Sequence, residues 1–296
     1  MALALPGLKP RACAERGYDV ALAEADNILG GRVAKERLLP GLAAWGRVAD
    51  YREYQLSPKP NVGTYFESRL DAAKILEFGF ENICIATGAR WRADGVSRQH
   101  VVPMPIDPAM AIFTPDDLMS GHMPSGQVTV YDDDHYYMGG VLAELLVQNG
   151  CAVTLVTPCA YVSDWTNNTL EQATIHKRLV EMGVDIQLNT GVAAIAKGAI
   201  TTNCTYTDRT REQVADAVIN VGSRLPNDGV FLDLKKREIE WADAGLKSVR
   251  LIGDANAPGP IAWATYAGHE FARSLDGADI GDALPFRREV AELAVD

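Results

Sequence analysis

Short apolar runs rich in Val, Ile and Ala recur along the chain, separated by longer stretches whose apolar positions repeat at helical spacing. Runs of four to seven such residues bounded by turn formers predict strands over 19–25, 82–88, 127–133, 152–158, 185–190, 216–222 and 249–255. The 3.6-residue repeat predicts helices in KPRACAERG, around TYFESRLDAAKILEFG, in MGGVLAELLVQNG and TLEQATIHKRLVEMG, over FLDLKKRE, and from Ala262 to Leu275. TIHKRLVEMG carries the firmest stop, a glycine after the last periodic residue. Strands alternating with helices predict an α/β protein with largely parallel sheets.

Two breaks divide this pattern. A proline-rich region from Ala89 to Gln127 reads as a crossover, and the loop GSRLPNDG follows the strand at 216–222. Together they predict one domain, 127–222, inserted into another formed by 1–120 and 225–296. At 296 residues the chain can bury two cores.

Composition narrows the classes of partner. A net charge of −11 sets nucleic acid and anionic lipid apart, because both would be repelled. No apolar run approaches the length of a membrane span. The start MALALPGLKPRACAERG lacks the features of a signal peptide, so a cytoplasmic protein is expected. Cys13, Cys84, Cys151, Cys159 and Cys204 are scattered with no CxxC pair, which favours apolar packing over a disulfide, zinc or iron-sulfur site. No metal site is assigned.

The strand-helix-strand unit 127–157 has the length of a dinucleotide-binding unit, yet VTVYDDDHYYMGG places Asp132, Asp133 and Asp134 where phosphate-binding glycines belong. Two unit charges ~4 Å apart at an effective dielectric of ~20 interact with about 4 kcal/mol, so these carboxylates oppose a pyrophosphate. The unit should bind a nicotinamide nucleotide poorly. The acidic run is expected to cap the next helix and face solvent, with a metal or ammonium site as the alternative.

A different signature stands in DVALAEADNILGGR. Glu24 ends a strand where an acid accepts from an adenosine ribose in nucleotide-binding folds, although an exposed glutamate at a strand end would look the same. Gly30 and Gly31 then permit a tight backbone turn. In IATGARW, Gly88 ends a strand; in LIGDANA, Asp254 does so just before a helix near Ile261 whose positive end could face an anion or a flavin edge.

The runs GYDVALAEADNILGGR, LPGLAAWGRVADYREYQL, IATGARWRADG, VTVYDDDHYYMGGVLAELL and LIGDANAPGPIAWATYAGH resemble the C-terminal nucleotide-binding region of the trimethylamine, dimethylamine and histamine dehydrogenases. These flavoproteins belong with the 2,4-dienoyl-CoA reductases among proteins with an Old Yellow Enzyme-like barrel. The resemblance covers nearly all of the chain. It implies two nested Rossmann-like domains of glutathione-reductase type, the first holding ADP or FAD and the second degenerate. It also implies that FMN, a 4Fe-4S cluster and amine oxidation reside in a barrel that these 296 residues do not include. By the same resemblance Glu24 matches the ribose-binding acid, Gly30, Gly31 and Arg32 the adenosine-side loop, Thr87 and Gly88 the second nucleotide motif, and Asp254 the third.

In one place the chain departs from the family. Aligning RACAERGYDV puts Met1, Leu3 and Pro6 at or near the GxGxxG glycines, so the first strand and its phosphate turn are expected to be missing. The leading expectation is therefore the nucleotide-binding portion of an amine-dehydrogenase-like flavoprotein oxidoreductase, without a complete catalytic centre and with no catalytic residue to name. Its partners would be an adenine nucleotide and a barrel domain or a second copy. The alternatives are a stand-alone FAD-dependent NAD(P)H oxidoreductase and a non-enzymatic interaction module.

Overall fold

The computed structural model describes residues 2–3, 9–275 and 277. Two five-stranded parallel sheets carry the fold. The first runs in the order Ser248–Leu251, Asn82–Ile85, Ala2–Leu3, Val20–Ala23, Val62–Tyr65. Its residues alternate between two cores, as pleating requires of a sheet covered on both sides. Val20, Leu22 and Cys84 pack with Cys13 and Phe271, from helices Lys9–Glu15 and Ile261–Ser274. Ala23, Ile83 and Ile85 pack with Ile75 and Leu234, from helices Ala72–Glu77 and Gly229–Lys236.

The second sheet runs Ala111–Phe113, Ala217–Val221, Gln127–Asp132, Ala152–Val156, Asp185–Gln187. One face, with Val128, Val130, Val153 and Leu155, packs on Leu142 and Leu146 of helix Tyr137–Gln148. Each of these fully buried leucines contributes about 1.5–3 kcal/mol by leaving water. The other face, with Tyr131, Val156 and Val218, packs on Val192, Ile195 and Ile200 of a three-stranded antiparallel sheet, Thr190–Ala196, Ala199–Cys204 and Thr210–Val214. The two chain crossings between the sheets pair with each other, Ala89–Trp91 antiparallel to Arg224–Pro226.

Several expectations need correction. The central strand of the first sheet is not absent: Ala2 pairs with both Val20 and Asn82, and Leu3 with Ala21 and Ile83. The strand spans only two residues inside the apolar start MALAL, and backbone pairing on both sides holds it. Of the three positions aligned with glycines, Leu3 lies in this strand, while Met1 and Pro6 fall outside the described residues. Strand Ala111–Phe113, assigned above to the first unit, pairs with Ala217–Val221, so the second sheet takes in residues before 127. The helix sought around TYFESRLDAAKILEFG begins only at Ala72, because the Asp71 side chain accepts from Lys74 N at 2.9 Å and caps it; Val62–Tyr65 is a strand.

Cys13, Cys84 and Cys151 are buried within apolar clusters, as packing residues would be. Among the described residues no helix is long and apolar enough to cross a membrane.

Candidate functional site

In a parallel sheet every strand delivers its C-terminal end to the same edge. Glu24 follows Val20–Ala23, Thr87 and Gly88 follow Asn82–Ile85, and Asp254 follows Ser248–Leu251. Chain order leaves Ala2–Leu3 toward Val20–Ala23 on one side and places Asn82–Ile85 on the other, so the edge contains the switch point at which open α/β sheets bind ligands.

Glu24 is only 4% exposed, which corrects the picture of an ordinary surface glutamate. Its backbone pairs with Tyr65 and Ser68, and its Oε1 accepts from Asp26 N at 3.0 Å. Its Oε2 is buried without a hydrogen-bond partner. Burial pushes the carboxyl pKa up, against the Asp26 and Ala25 amides that lower it. A buried acceptor left open costs free energy, so Oε2 is an unused hydrogen-bonding position at the strand end.

The chain then turns through Gly30 (φ 114°) and Gly31 (φ 52°), conformations that glycine adopts without strain. This turn aims Arg32 across the edge. Its Nε lies 2.9 Å from Glu36 Oε1 and its Nη2 3.0 Å from Asp254 Oδ2, while Nη1 is buried with no partner. Asp254 is engaged on both oxygens: Oδ2 also accepts from Arg224 Nη1 at 2.8 Å, and Oδ1 from Gly259 N at 3.1 Å. Arg224 further donates to Gly259 O at 3.2 Å and stacks 5.4 Å from the Trp91 ring centre. Burial lowers the Arg224 pKa and raises that of Glu36, the signature of charges drawn into one enclosed cluster.

Thr87 and Gly88 are tied to the returning crossover instead. Thr87 Oγ1 donates to Asn227 O, Asn227 Nδ2 donates to Thr87 O at 3.2 Å, and Asn227 N donates to Gly88 O at 2.9 Å. Gly88 has φ 75° and open space where a Cβ would stand. Thus Arg32 and Asp254 meet directly, Thr87 and Gly88 share the edge through Asn227, and Glu24 has no direct bond to either group.

At the matching edge of the second sheet two of the three aspartates do not face solvent as expected, and Asp134 is half-buried. Asp132 and Asp133 are fully buried. Asp132 Oδ1 accepts from His135 N at 3.0 Å. Asp133 Oδ2 accepts from Gln99 N at 2.7 Å, and its Oδ1 lies 3.0 Å from His135 Nε2. Burial pushes Asp132 up to about 7, with the Asp134 charge adding to the effect. Burial acts on Asp133 too, but the nearby His135 and Ser97 side chains and the Gln99 amide hold it below the ordinary carboxylate range. Burial also raises Asp134, against the pull of Arg224, Arg98 and Arg32. Segment 96–100 meets the turn through the Gln99 amide and the His100 ring, whose centroid lies 6.4 Å from that of Tyr131. No aspartate caps the helix Tyr137–Gln148. Among the described residues no group of three or more His, Cys, Asp or Glu could hold a metal ion.

Residues 113–220 match the family model described as the OYE-like second alpha/beta domain. Dimethylamine dehydrogenase of Hyphomicrobium sp. (strain x) is 30% identical over 94% of this chain and 41% of that protein. The 2.1 Å structure of histamine dehydrogenase from Rhizobium sp. 4-9 is 60% identical and superposes with TM-score 0.95, over 99% of this chain and 46% of that one. The chain is a homologue of the dimethylamine and histamine dehydrogenases. It spans less than half the length of each. A 6-hydroxypseudooxynicotine amine oxidase from Pseudomonas geniculata N1 is similar as well, at 39% identity and TM-score 0.85, over 92% of this chain and 41% of that one.

Beside this homology to amine dehydrogenases stand three residues that sequence patterns did not single out: Arg224, Trp91 and Asn227. They lie on the crossovers, and Arg224 and Asn227 fall in or beside the GSRLPNDG loop that reads only as a linker. Their partners stand 30 to 140 residues away.

Proposed function

We propose that this chain is the nucleotide-holding part of an amine-dehydrogenase-like flavoprotein oxidoreductase, and that it takes an adenine nucleotide, ADP in preference to FAD, at the C-terminal edge of its first sheet. The observation that carries this is the buried, unpartnered Oε2 of Glu24 at the end of the second strand. A ribose hydroxyl would satisfy it. Gly30 and Gly31 let the backbone approach the nucleotide, and the unpartnered Nη1 of Arg32 would donate to the diphosphate. The strand order of both sheets also supports reading them as two Rossmann-like units of glutathione-reductase type, one inserted in the other.

Preference for ADP follows from Asp254. A flavin's polyol hydroxyl would have to share the Asp254 carboxylate with Arg32, Arg224 and Gly259, which already take three of its roughly four acceptor positions. FAD would have to compete with that cluster, whereas ADP would not. The amine-oxidising chemistry, with FMN and a 4Fe-4S cluster, would reside in a barrel domain that this region supports. This chain's residues bind and orient the nucleotide and brace that domain. The second unit, its edge filled by buried aspartates, speaks against a stand-alone NAD(P)H oxidoreductase.

Isothermal titration of ADP and FAD into the purified protein tests the proposal. ADP should bind at least about tenfold more tightly than FAD, and Glu24→Ala should weaken it. Absence of ADP binding at high micromolar concentration would remove the nucleotide assignment.

A further inference from the structure

The turn between strand Gln127–Asp132 and helix Tyr137–Gln148 stands at the switch point of the second sheet, beside strand Ala217–Val221. Asp133 N and Asp134 N both donate to Val221 O at 2.9 Å, which pins the turn to that neighbour. His135 has φ 65°, a left-handed conformation that favours glycine. The backbone therefore follows a path suited to a glycine-bearing phosphate turn, although its residues are bulky and acidic.

The space beneath this turn is filled from within. The Asp132 carboxyl group lies flush against Gly139, in the first turn of the helix: a Cβ built on Gly139 would stand 2.3 Å from Asp132 Cγ and 2.4 Å from its Oδ2. That same Oδ2 is buried without a hydrogen-bond partner, while Oδ1 is fixed by His135 N. A carboxyl group is thus lodged between the strand end and the first turn of the helix, beside the position at which dinucleotide-binding units receive a diphosphate.

We propose that Asp132 fills, with its own carboxyl group, the place of a pyrophosphate in the second unit, and is the residue that closes this unit to nicotinamide dinucleotides. The inference rests on reading the second unit as a nucleotide-type fold, and it goes beyond charge repulsion. Asp132 occupies the space with its carboxyl group whether or not that group is ionised, so removing it should open room for an anion.

Titrating inorganic pyrophosphate and NADH separately into the full-length, ADP-saturated protein tests this, comparing the native sequence with Asp132→Gly and Asp132→Ser. Asp132→Gly should tighten both probes by at least about tenfold, with Asp132→Ser between it and the native protein. Where circular dichroism finds Asp132→Gly unfolded, Asp132→Ser carries the test alone. Equal affinity in the native protein and every folded variant would overturn the proposal, as would NADH binding to the native protein at about 10 µM or tighter. A failure of ADP to bind would instead defeat the assignment of the first unit; the difference between native and variant protein would still decide this one.

Discussion

The two sheets end in comparable edges with opposite contents. At the first, Glu24 and Arg32 each keep one buried polar atom without a partner, and glycines line the turn between them. At the second, Asp132 Oδ1 accepts from His135 N and Asp133 Oδ2 from Gln99 N, while Asp132 Oδ2, Asp133 Oδ1 and His135 Nε2 are likewise buried without a hydrogen-bond partner. What separates the edges is that glycines line the turn of the first, whereas the buried carboxyl groups of Asp132 and Asp133 take up the space at the second. The same parallel topology serves both outcomes, and the choice is made by a few side chains at the strand ends.

The largest effect expected from this contrast concerns Asp132. Its folded pKa of about 7 stands above the ordinary 3.8, so between roughly pH 4 and 7 the native state holds more protons than the unfolded chain. Stability should therefore fall as pH rises through that window and level off above it, by up to about 4 kcal/mol from this group. Urea unfolding at pH 5 and pH 8 should show Asp132→Asn losing most of that slope. Parallel slopes for the two proteins would break the claim that the second edge holds a strained acid.

Next in size is Glu24. A hydrogen bond to a charged acceptor contributes about 1.5–3 kcal/mol, so Glu24→Ala should weaken ADP roughly 10- to 100-fold. Because burial raises the Glu24 pKa, native affinity should also drop as the solution is acidified and the carboxylate gains its proton. Calorimetry at two pH values reads both effects.

Gly139→Ala and Gly88→Ala set the two edges against each other directly. The new methyl at 139 would collide with the Asp132 carboxyl and should cost about 1–3 kcal/mol, without altering ADP binding. At Gly88 the space is open and only the φ of 75° resists a side chain, so about 1–2 kcal/mol is the expected cost. Thermal melts of the two variants rank them; a larger loss at 88 would contradict the packing described at the second edge.

The alternation of apolar runs and helical periods made most of both sheets legible. Strand Val20–Ala23 and helix Ile261–Ser274 fall where the pattern places them, within two residues at each end. What escaped were elements held by backbone pairing or by distant partners. Ala2–Leu3 pairs over only two residues of the apolar start MALAL, where the pattern predicts no strand, and Thr210–Val214 is a polar edge strand with four of its five side chains exposed. Glu24, Gly30, Gly31 and Arg32 were legible as a local cluster, and Asp254 as a strand-end acid. The bond between Arg32 and Asp254 was not, because it spans 222 positions. Burial of Asp132 and Asp133 was hidden for the same reason: an acidic triplet reads as solvated until a segment over thirty residues away, bonded through Gln99, meets it.

The contrast between an open and a filled edge is tested most directly by titrating ADP and NADH into the same preparation of the native protein. The account predicts saturable ADP binding, with NADH showing none that ADP does not displace. Binding of NADH alongside saturating ADP, or no binding of ADP at all, would contradict it.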